Sequence, residues 1–205
     1  MFGAVLFAIA LVCSAMVGLA SFLISLAIII MIFIYNGIGK QSNLFGPITM
    51  GLCRSGNLLL GMSLIPESIP AFWLVALIPL LFISAVTLTA QGEVAGNNKT
   101  TIAWAILLDI ITAGALLLIC FYYEGSLVQL SLFLLIWLGG NLFFKSKAIS
   151  HNTPAQVMKA VKMGVISIIV LDACYVAAFG QWKVALGLSL LLPLAIIIAK
   201  KIKVT

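Results

Sequence analysis

Long apolar runs cover most of the chain, and short segments with glycine, proline or charged residues separate them. A membrane-spanning helix needs about 20 mainly apolar residues. The runs lack the alternating polarity that is typical of a membrane β-barrel. The pattern therefore predicts an all-α integral membrane protein, with one bundle domain over residues 1–205 and about eight spans. These spans are Phe2–Leu19, Ser21–Tyr35, Phe45–Leu64, Phe72–Ala90, Ile102–Tyr122, Leu127–Phe143, Val157–Ala178 and Val184–Ala199.

The composition excludes a soluble globular protein. Charged residues make up 8% of the chain and hydrophobic residues 64%, whereas soluble domains average about 25% charged residues. The four cysteines have none of the spacings that are typical of a zinc site, so we interpret each as a small apolar core residue. They are Cys13, Cys53, Cys120 and Cys174.

The lysines predict how the protein is oriented. With eight spans, nine of the ten lysines fall on one face, and the other face receives Glu67, Glu124 and Lys183. Lysine and arginine are enriched in cytoplasmic loops. We therefore expect the lysine-rich loops, Lys145 and Lys147 among them, and the C-terminus to be cytoplasmic. A bacterial-type inner (plasma) membrane is the expected location. The net charge of +6 then reflects membrane orientation and not a nucleic-acid partner.

Arg54 is the most unusual residue of the pattern, because it interrupts the apolar run FGPITMGLCRSGNLLLGMS. In a span that starts at Phe45, it lies roughly 13 Å below the membrane surface. A charge at that depth costs on the order of 2.5–3.5 kcal/mol, so it normally faces a polar cavity or a partner. Asn57 follows one turn later on the same side. The two residues predict a polar pocket in the cytoplasmic half of the bundle.

Asp109 offers a second explanation for Arg54. It lies roughly 12 Å into the fifth predicted span, at a depth similar to that of Arg54. An Arg54–Asp109 ion pair is therefore a candidate structural link between helices. The same pair could also hold the guanidinium towards a ligand, and the sequence leaves both interpretations open.

Two further polar segments lie on the predicted cytoplasmic side. They are Tyr35–Lys40, with the sequence YNGIGK, and Gln91–Thr101, with the sequence QGEVAGNNKTT. Lysine, arginine and asparagine are suited to a diphosphate, and a nearby carboxylate is suited to Mg²⁺. The apolar helices could hold an isoprenoid tail. The hypothesis is a prenyl-diphosphate site with Glu93 as a metal ligand. Its expected diphosphate-binding residues are Lys40, Arg54, Asn57, Asn97 and Lys99.

At these residues the chain resembles the UbiA prenyltransferase superfamily, over most of its length. The motifs YNGIGK, GPITMGLCRSGNLLLGMS and GEVAGNNKTT carry the resemblance, and the last two are most similar to the EboC-like branch. The resemblance implies a helical bundle around a central cavity, in which Mg²⁺ and acidic motifs hold an isoprenyl diphosphate. It also implies transfer of the isoprenyl group to an aromatic or related hydrophobic acceptor. Glu93 would stand in the second acidic motif, with Lys40 and Arg54 near the diphosphate.

The chain departs from that family in two respects. It has no NDxxDxxxD-type motif, and its second motif has one carboxylate, Glu93. A single carboxylate is a poor Mg²⁺ site. The resemblance begins at the family's third span, so we expect that two helices and the first motif are missing and that this chain alone is inactive. The alternative is a non-catalytic membrane protein that binds or transports a hydrophobic metabolite. No catalytic residue is assigned.

Overall fold

The computed structural model describes residues 2–91 and 98–201, and all regular elements there are helices. The α-helices are α1 (Phe2–Val17), α2 (Leu19–Gly37), α3 (Phe45–Met62), α4 (Ser68–Phe72), α5 (Leu77–Ala90), α6 (Lys99–Tyr122), α7 (Leu127–His151), α8 (Pro154–Ile166), α9 (Ile168–Ala178), α10 (Trp182–Ser189) and α11 (Leu191–Lys201). Two 3-10 turns, Gly39–Gln41 and Trp73–Ala76, precede α3 and α5. The predicted all-α class is confirmed.

Within the described residues, five helical segments are long and apolar enough to span a membrane. They are Leu19–Gly37, Ser68–Ala90, Lys99–Tyr122, Leu127–His151 and Pro154–Ala178. The segments Gly3–Val17 and Trp182–Ile198 are apolar but shorter. This indicates a multi-pass membrane protein. The α3 helix is not one of the five, because Arg54, Asn57 and its four glycines lower its hydropathy. The count of eight spans stays a prediction.

Helix α7 corrects one part of the sequence interpretation. The predicted span ended at Phe143, with Lys145 and Lys147 in a cytoplasmic loop. The helix instead continues to His151, where Asn152 ends it in a left-handed conformation with φ of 30°. Both lysines are therefore helical, and the loop assignment was wrong. The counting failed because α7 has 25 residues, more than the roughly 20 that a minimal span needs.

The last two predicted spans are each interrupted. Ser167 lies between α8 and α9, and its hydroxyl donates to the carbonyl oxygen of Gly164 over 2.9 Å. Leu190 lies between α10 and α11. Ser167, at the first break, is fully buried, and its hydroxyl also accepts a hydrogen bond from the side chain of Asn141 on α7.

The chain divides into two compact units, Met1–Thr87 and Leu88–Thr205. In the N-terminal unit, α2 packs against both α1 and α3. Phe82 and Ile78 of α5 are fully buried. The hydroxyls of Ser21 and Ser63 lie 2.7 Å apart and join α2 to the end of α3.

The C-terminal unit is built around α7, which packs against α6, α8 and α9. Trp137 and Leu130 on α7 are fully buried. A small apolar cluster joins the start of α6, the end of α7 and the start of α8, and consists of Ile102, Ala148, Val157 and Ala160. The prediction of a single bundle domain stays a prediction.

A substitution at Gly51 tests how closely α3 packs against α5. A Cβ atom there would lie 2.5 Å from the carbonyl oxygen of Leu80 and 2.6 Å from Oγ of Ser84. We expect Gly51→Ala to destabilise the protein by about 1–3 kcal/mol, because backbone atoms must move. Gly61 on the same helix is the matched control, since no heavy atom of the described chain would lie within 4 Å of its Cβ.

Alanine at Gly61 removes backbone freedom without a clash, so Gly61→Ala should raise stability by roughly 0.5–1 kcal/mol. Thermal unfolding of both variants in detergent measures the difference. Equal melting temperatures for the two variants would show that α3 and α5 do not approach as closely as described.

Candidate functional site

Helix α3 has two packed faces, and both rely on small or hydroxyl-bearing residues. Towards α2, a Cβ on Gly56 would lie 2.7 Å from Cγ1 of Ile28. Towards α5, the hydroxyl of Ser84 donates to the carbonyl oxygen of Pro47 over 3.0 Å. The hydroxyl of Ser55 donates to the carbonyl oxygen of Ala76 over 2.6 Å. These contacts fix the rotation of α3 about its axis.

The fixed rotation determines where Arg54 projects. At roughly 100° per residue, Arg54 points about 160° away from Gly56, and so away from α2. It lies next to the residues of α3 that face α5, such as Gly51, and is half-buried. Asn57 comes three residues later, about 60° further round, and is exposed. The α3 helix therefore presents a guanidinium on the side opposite α2 and an amide one turn later, about 100° round from the α2-facing Gly56.

Lys40 lies close to the start of the same helix. It is the exposed middle residue of the 3-10 turn Gly39–Gln41. That turn rests on α3, because a Cβ on Gly39 would lie 2.9 Å from Oγ1 of Thr49, and one on Gly46 would lie 2.7 Å from the carbonyl oxygen of Gly39. Arg54 is eight residues beyond Gly46, roughly 12 Å along the helix axis. Two long side chains over that distance can converge on one elongated anion.

The other predicted members of the site belong to the C-terminal unit or lie outside the described residues. Lys99 is the first residue of α6 and is exposed. The neighbouring Asn98 donates from its side chain to the carbonyl oxygen of Thr89 over 3.1 Å, and from its backbone to Oδ1 of Asn152 over 3.2 Å. Those bonds fix the start of α6. Glu93 and Asn97 lie outside the described residues.

The C-terminal unit contains a buried ion pair that the sequence interpretation did not foresee. Nζ of Lys145 on α7 lies 2.6 Å from Oδ2 of Asp109 on α6. The two side chains are 1% and 0% exposed. Asp109 is the anion of this pair, and Lys145 is its cation. The predicted Arg54–Asp109 pair would join the two units and stays a prediction.

The pair lies one turn of α7 away from a second polar contact, between Asn141 on α7 and Ser167, and we call these four residues the Asp109 cluster: Asp109, Asn141, Lys145 and Ser167. Asn141 lies one turn before Lys145, and its side chain donates to Oγ of Ser167 over 3.0 Å and to the carbonyl oxygen of Trp137 over 2.9 Å. Two acceptors, Oδ1 of Asp109 and Oδ1 of Asn141, have no hydrogen-bond donor among the described residues. A buried acceptor in that state costs about 1–3 kcal/mol. The two acceptors therefore offset part of the stability that the ion pair and the hydrogen bonds of the Asp109 cluster provide.

A spacing signal for this cluster was present in the sequence. Asn141 and Lys145 are four residues apart, and so lie on one face of a helix that is otherwise apolar. The assumption that the span ended at Phe143 concealed it. The partner Asp109 lies 36 residues away, and no local pattern assigns such a pairing.

The donor groups around Arg54 are suited to phosphate and not to a metal ion. Arg54, Asn57 and Lys40 supply N–H donors, whereas Mg²⁺ takes oxygen ligands, usually carboxylates and phosphate oxygens. In the part of the chain that the structure describes, no three His, Cys, Asp or Glu side chains group as a metal site. The expected metal ligand Glu93 lies outside that part.

No protein-family model, no curated protein and no solved structure matches this chain. The site is therefore interpreted from its own residues, with the motif resemblance given above as the one family-level hypothesis.

Proposed function

We propose that this chain binds an isoprenyl diphosphate beside Arg54, as part of a UbiA-type membrane prenyltransferase that acts on an aromatic or related hydrophobic acceptor. The observation that carries the proposal is the position of Arg54. Arg54 is a half-buried residue in the middle of a mainly apolar helix, on the side opposite α2, with the exposed Asn57 one turn away. An arginine in such surroundings is a functional-site hypothesis in its own right.

The chemistry of the ligand follows from these groups. A guanidinium donates two parallel hydrogen bonds to phosphate oxygens. Lys40, at the other end of the α3 surface, adds a mobile positive charge. A long apolar tail would extend among the membrane helices, where burying each CH₂ group contributes about 0.8 kcal/mol. A diphosphate joined to an isoprenoid chain would bind the cationic side chains with its phosphates and the apolar helices with its tail.

The role of Arg54 in transfer would be electrostatic. As the bond between the isoprenyl carbon and the diphosphate oxygen breaks, negative charge accumulates on the leaving diphosphate. N–H donors that are already in position stabilise that charge most effectively in a site from which water is excluded. Mg²⁺, implied by the family resemblance, would supply further charge neutralisation at the loop that contains Glu93.

The orientation is part of the same proposal. Lys40, Lys99, Lys147, Lys159 and Lys162 are all exposed. Lysines at span ends favour the cytoplasmic face. We propose an inner (plasma) membrane location, with these lysines and the C-terminus cytoplasmic. The diphosphate would then enter from the compartment in which soluble isoprenyl diphosphates are made.

The test of this function is a turnover assay with the full chain in proteoliposomes. Radiolabelled farnesyl diphosphate is added with Mg²⁺ and a panel of hydroxybenzoates, and prenylated product and inorganic diphosphate are quantified. The proposal expects diphosphate release that depends on the acceptor and falls in Arg54→Gln. Saturable binding of farnesyl diphosphate without any release would favour the second function below, and absence of both would contradict the proposal.

A second function is favoured by the small number of carboxylates. The chain has five acidic residues. One of them, Asp109, is neutralised by Lys145, and Glu93 is the one acidic residue of the segment Gln91–Thr101. A protein with this donor set could bind or transport a hydrophobic metabolite without Mg²⁺-dependent transfer. It would then show the same affinity for its ligand before and after chelation of Mg²⁺.

A further inference from the structure

A depression lies where the α6–α7 connection meets the end of α9, far along the sequence from the residues of the proposed site. Its volume is about 440 Å³, and all of its lining belongs to the C-terminal unit: Tyr123, Glu124, Gly125, Ser126, Phe179 and Gly180. Nothing in the proposed function uses these residues.

The α6–α7 connection packs against the end of α9, and the contacts there fix the shape of the depression. The backbone N–H of Ser126 donates to the carbonyl oxygen of Ala178 over 3.3 Å, and that of Gly125 donates to the carbonyl oxygen of Cys120 over 2.8 Å. A Cβ on Gly125 would overlap the carbonyl of Ala178, so only glycine fits there. Glu124 has a φ of 53°, in the left-handed region. The backbone therefore fixes the place from which the carboxylate projects.

The lining combines aromatic rings with one acidic group. The ring centroids of Tyr123 and Phe179 lie 5.6 Å apart at an interplanar angle of 46°, and so form two inclined walls. The carboxylate of Glu124 is exposed, and no ion pair involves it among the residues described. Aromatic rings attract an ammonium group through their electron-rich faces, and a carboxylate adds charge attraction. Together they favour a cationic ligand.

The position of the depression favours a lipid headgroup as the source of that cation. The α6–α7 connection joins two of the membrane-length segments, Lys99–Tyr122 and Leu127–His151, and so lies at a membrane face. Tyr122, Tyr123 and Phe179 are in ring contact at this end, and aromatic side chains are enriched at bilayer interfaces. Backbone N–H groups at the start of α7, beyond the N-cap Ser126, can donate hydrogen bonds to a phosphate.

We propose that this depression binds the headgroup of a zwitterionic phospholipid of the phosphatidylethanolamine or phosphatidylcholine class. The ammonium group lies between Tyr123, Phe179 and Glu124, and the phosphate lies at the start of α7. The proposal does not depend on prenyl transfer. An interfacial aromatic belt alone would give the same tyrosines, but it would not give Glu124 a role in selecting among lipids.

The test compares lipids that remain bound to the purified full chain. The protein in detergent is incubated with equimolar phosphatidylethanolamine and phosphatidylglycerol, and native mass spectrometry quantifies each bound lipid. We expect a preference for phosphatidylethanolamine that falls roughly threefold to tenfold in Glu124→Gln and in Phe179→Leu. Glu67→Gln removes the same charge from an exposed residue of the N-terminal unit and should leave the preference unchanged.

Three results of the lipid comparison would overturn the proposal. They are equal retention of both lipids by the wild-type protein, an unchanged preference in Glu124→Gln, and an equal loss of preference in Glu67→Gln. Free ethanolamine provides the remaining arm. If millimolar ethanolamine displaces the lipid completely, the depression recognises amines in general and the assignment to a lipid fails. If the lipid stays bound, the assignment holds.

Discussion

Replacing Lys145 by methionine should destabilise the protein by about 3–5 kcal/mol. The substitution leaves the carboxylate of Asp109 buried at 0% exposure without its cation. Removal of one partner of a buried ion pair typically has that cost, because the remaining charge has neither water nor a counter-ion. Asp109→Leu should have a similar effect, because it leaves the ammonium group of Lys145 buried without its anion. Thermal and chemical unfolding in detergent would measure both.

The double substitution distinguishes a lost charge balance from simple loss of packing. With Asp109→Leu and Lys145→Met together, no charge remains buried, and replacement of a buried pair by apolar groups is often neutral or stabilising. We expect most of the lost stability to return. Lys147→Met is the matched control, since Lys147 is on the same helix, two residues away and exposed. Its effect should stay within about 0.5 kcal/mol.

Equal effects of Lys145→Met and Lys147→Met would contradict the burial of the pair. A double variant that is less stable than either single variant would show that Asp109 and Lys145 contribute through packing and not through their charges.

Replacing Arg54 by glutamine should weaken binding of farnesyl diphosphate by roughly 10-fold to 100-fold. Hydrogen bonds to charged groups contribute about 1.5–3 kcal/mol each, and glutamine retains a donor but no charge. Arg54→Lys should recover part of the affinity, because it restores the charge without the planar pair of donors. Equilibrium binding of the radiolabelled ligand to the protein in detergent measures the dissociation constants.

The control for Arg54 is Lys183→Gln, which removes one positive charge from an exposed residue at the start of α10. It should leave the dissociation constant within about twofold, because exposed charges at a distance are screened. Melting temperatures of all the variants separate a binding defect from a folding defect. If Arg54→Gln melts like the wild-type protein and binds equally well, the guanidinium does not contact the diphosphate.

The all-α class was predictable because every long apolar run of the chain favours a membrane helix. The ends and breaks of the helices were harder to predict. Ser167 interrupts α8 and α9 without a proline, and α7 extends past Phe143 with a lysine inside it. A rule that places charged residues in loops is wrong for Lys145, because its ion pair with Asp109 makes its burial possible.

The candidate site shows the same division between local and long-range information. Arg54 and Asn57 could be placed on one side of a helix from their spacing alone. The rotation of that helix could not, since it depends on contacts with Ile28 and Ser84. The depression at Glu124 was also beyond sequence reasoning, because its walls come from residues more than 50 positions apart that meet only when α9 packs beside α6 and α7.

The central claim is that the diphosphate group is what Arg54 recognises. The most direct measurement compares the affinities of the full chain for farnesyl diphosphate and for farnesol, which has the same tail and no diphosphate. We predict that the wild-type protein binds the diphosphate at least tenfold more tightly, and that Arg54→Gln abolishes most of this difference while its affinity for farnesol is unchanged. Equal affinity of the wild-type protein for the two compounds would contradict the claim.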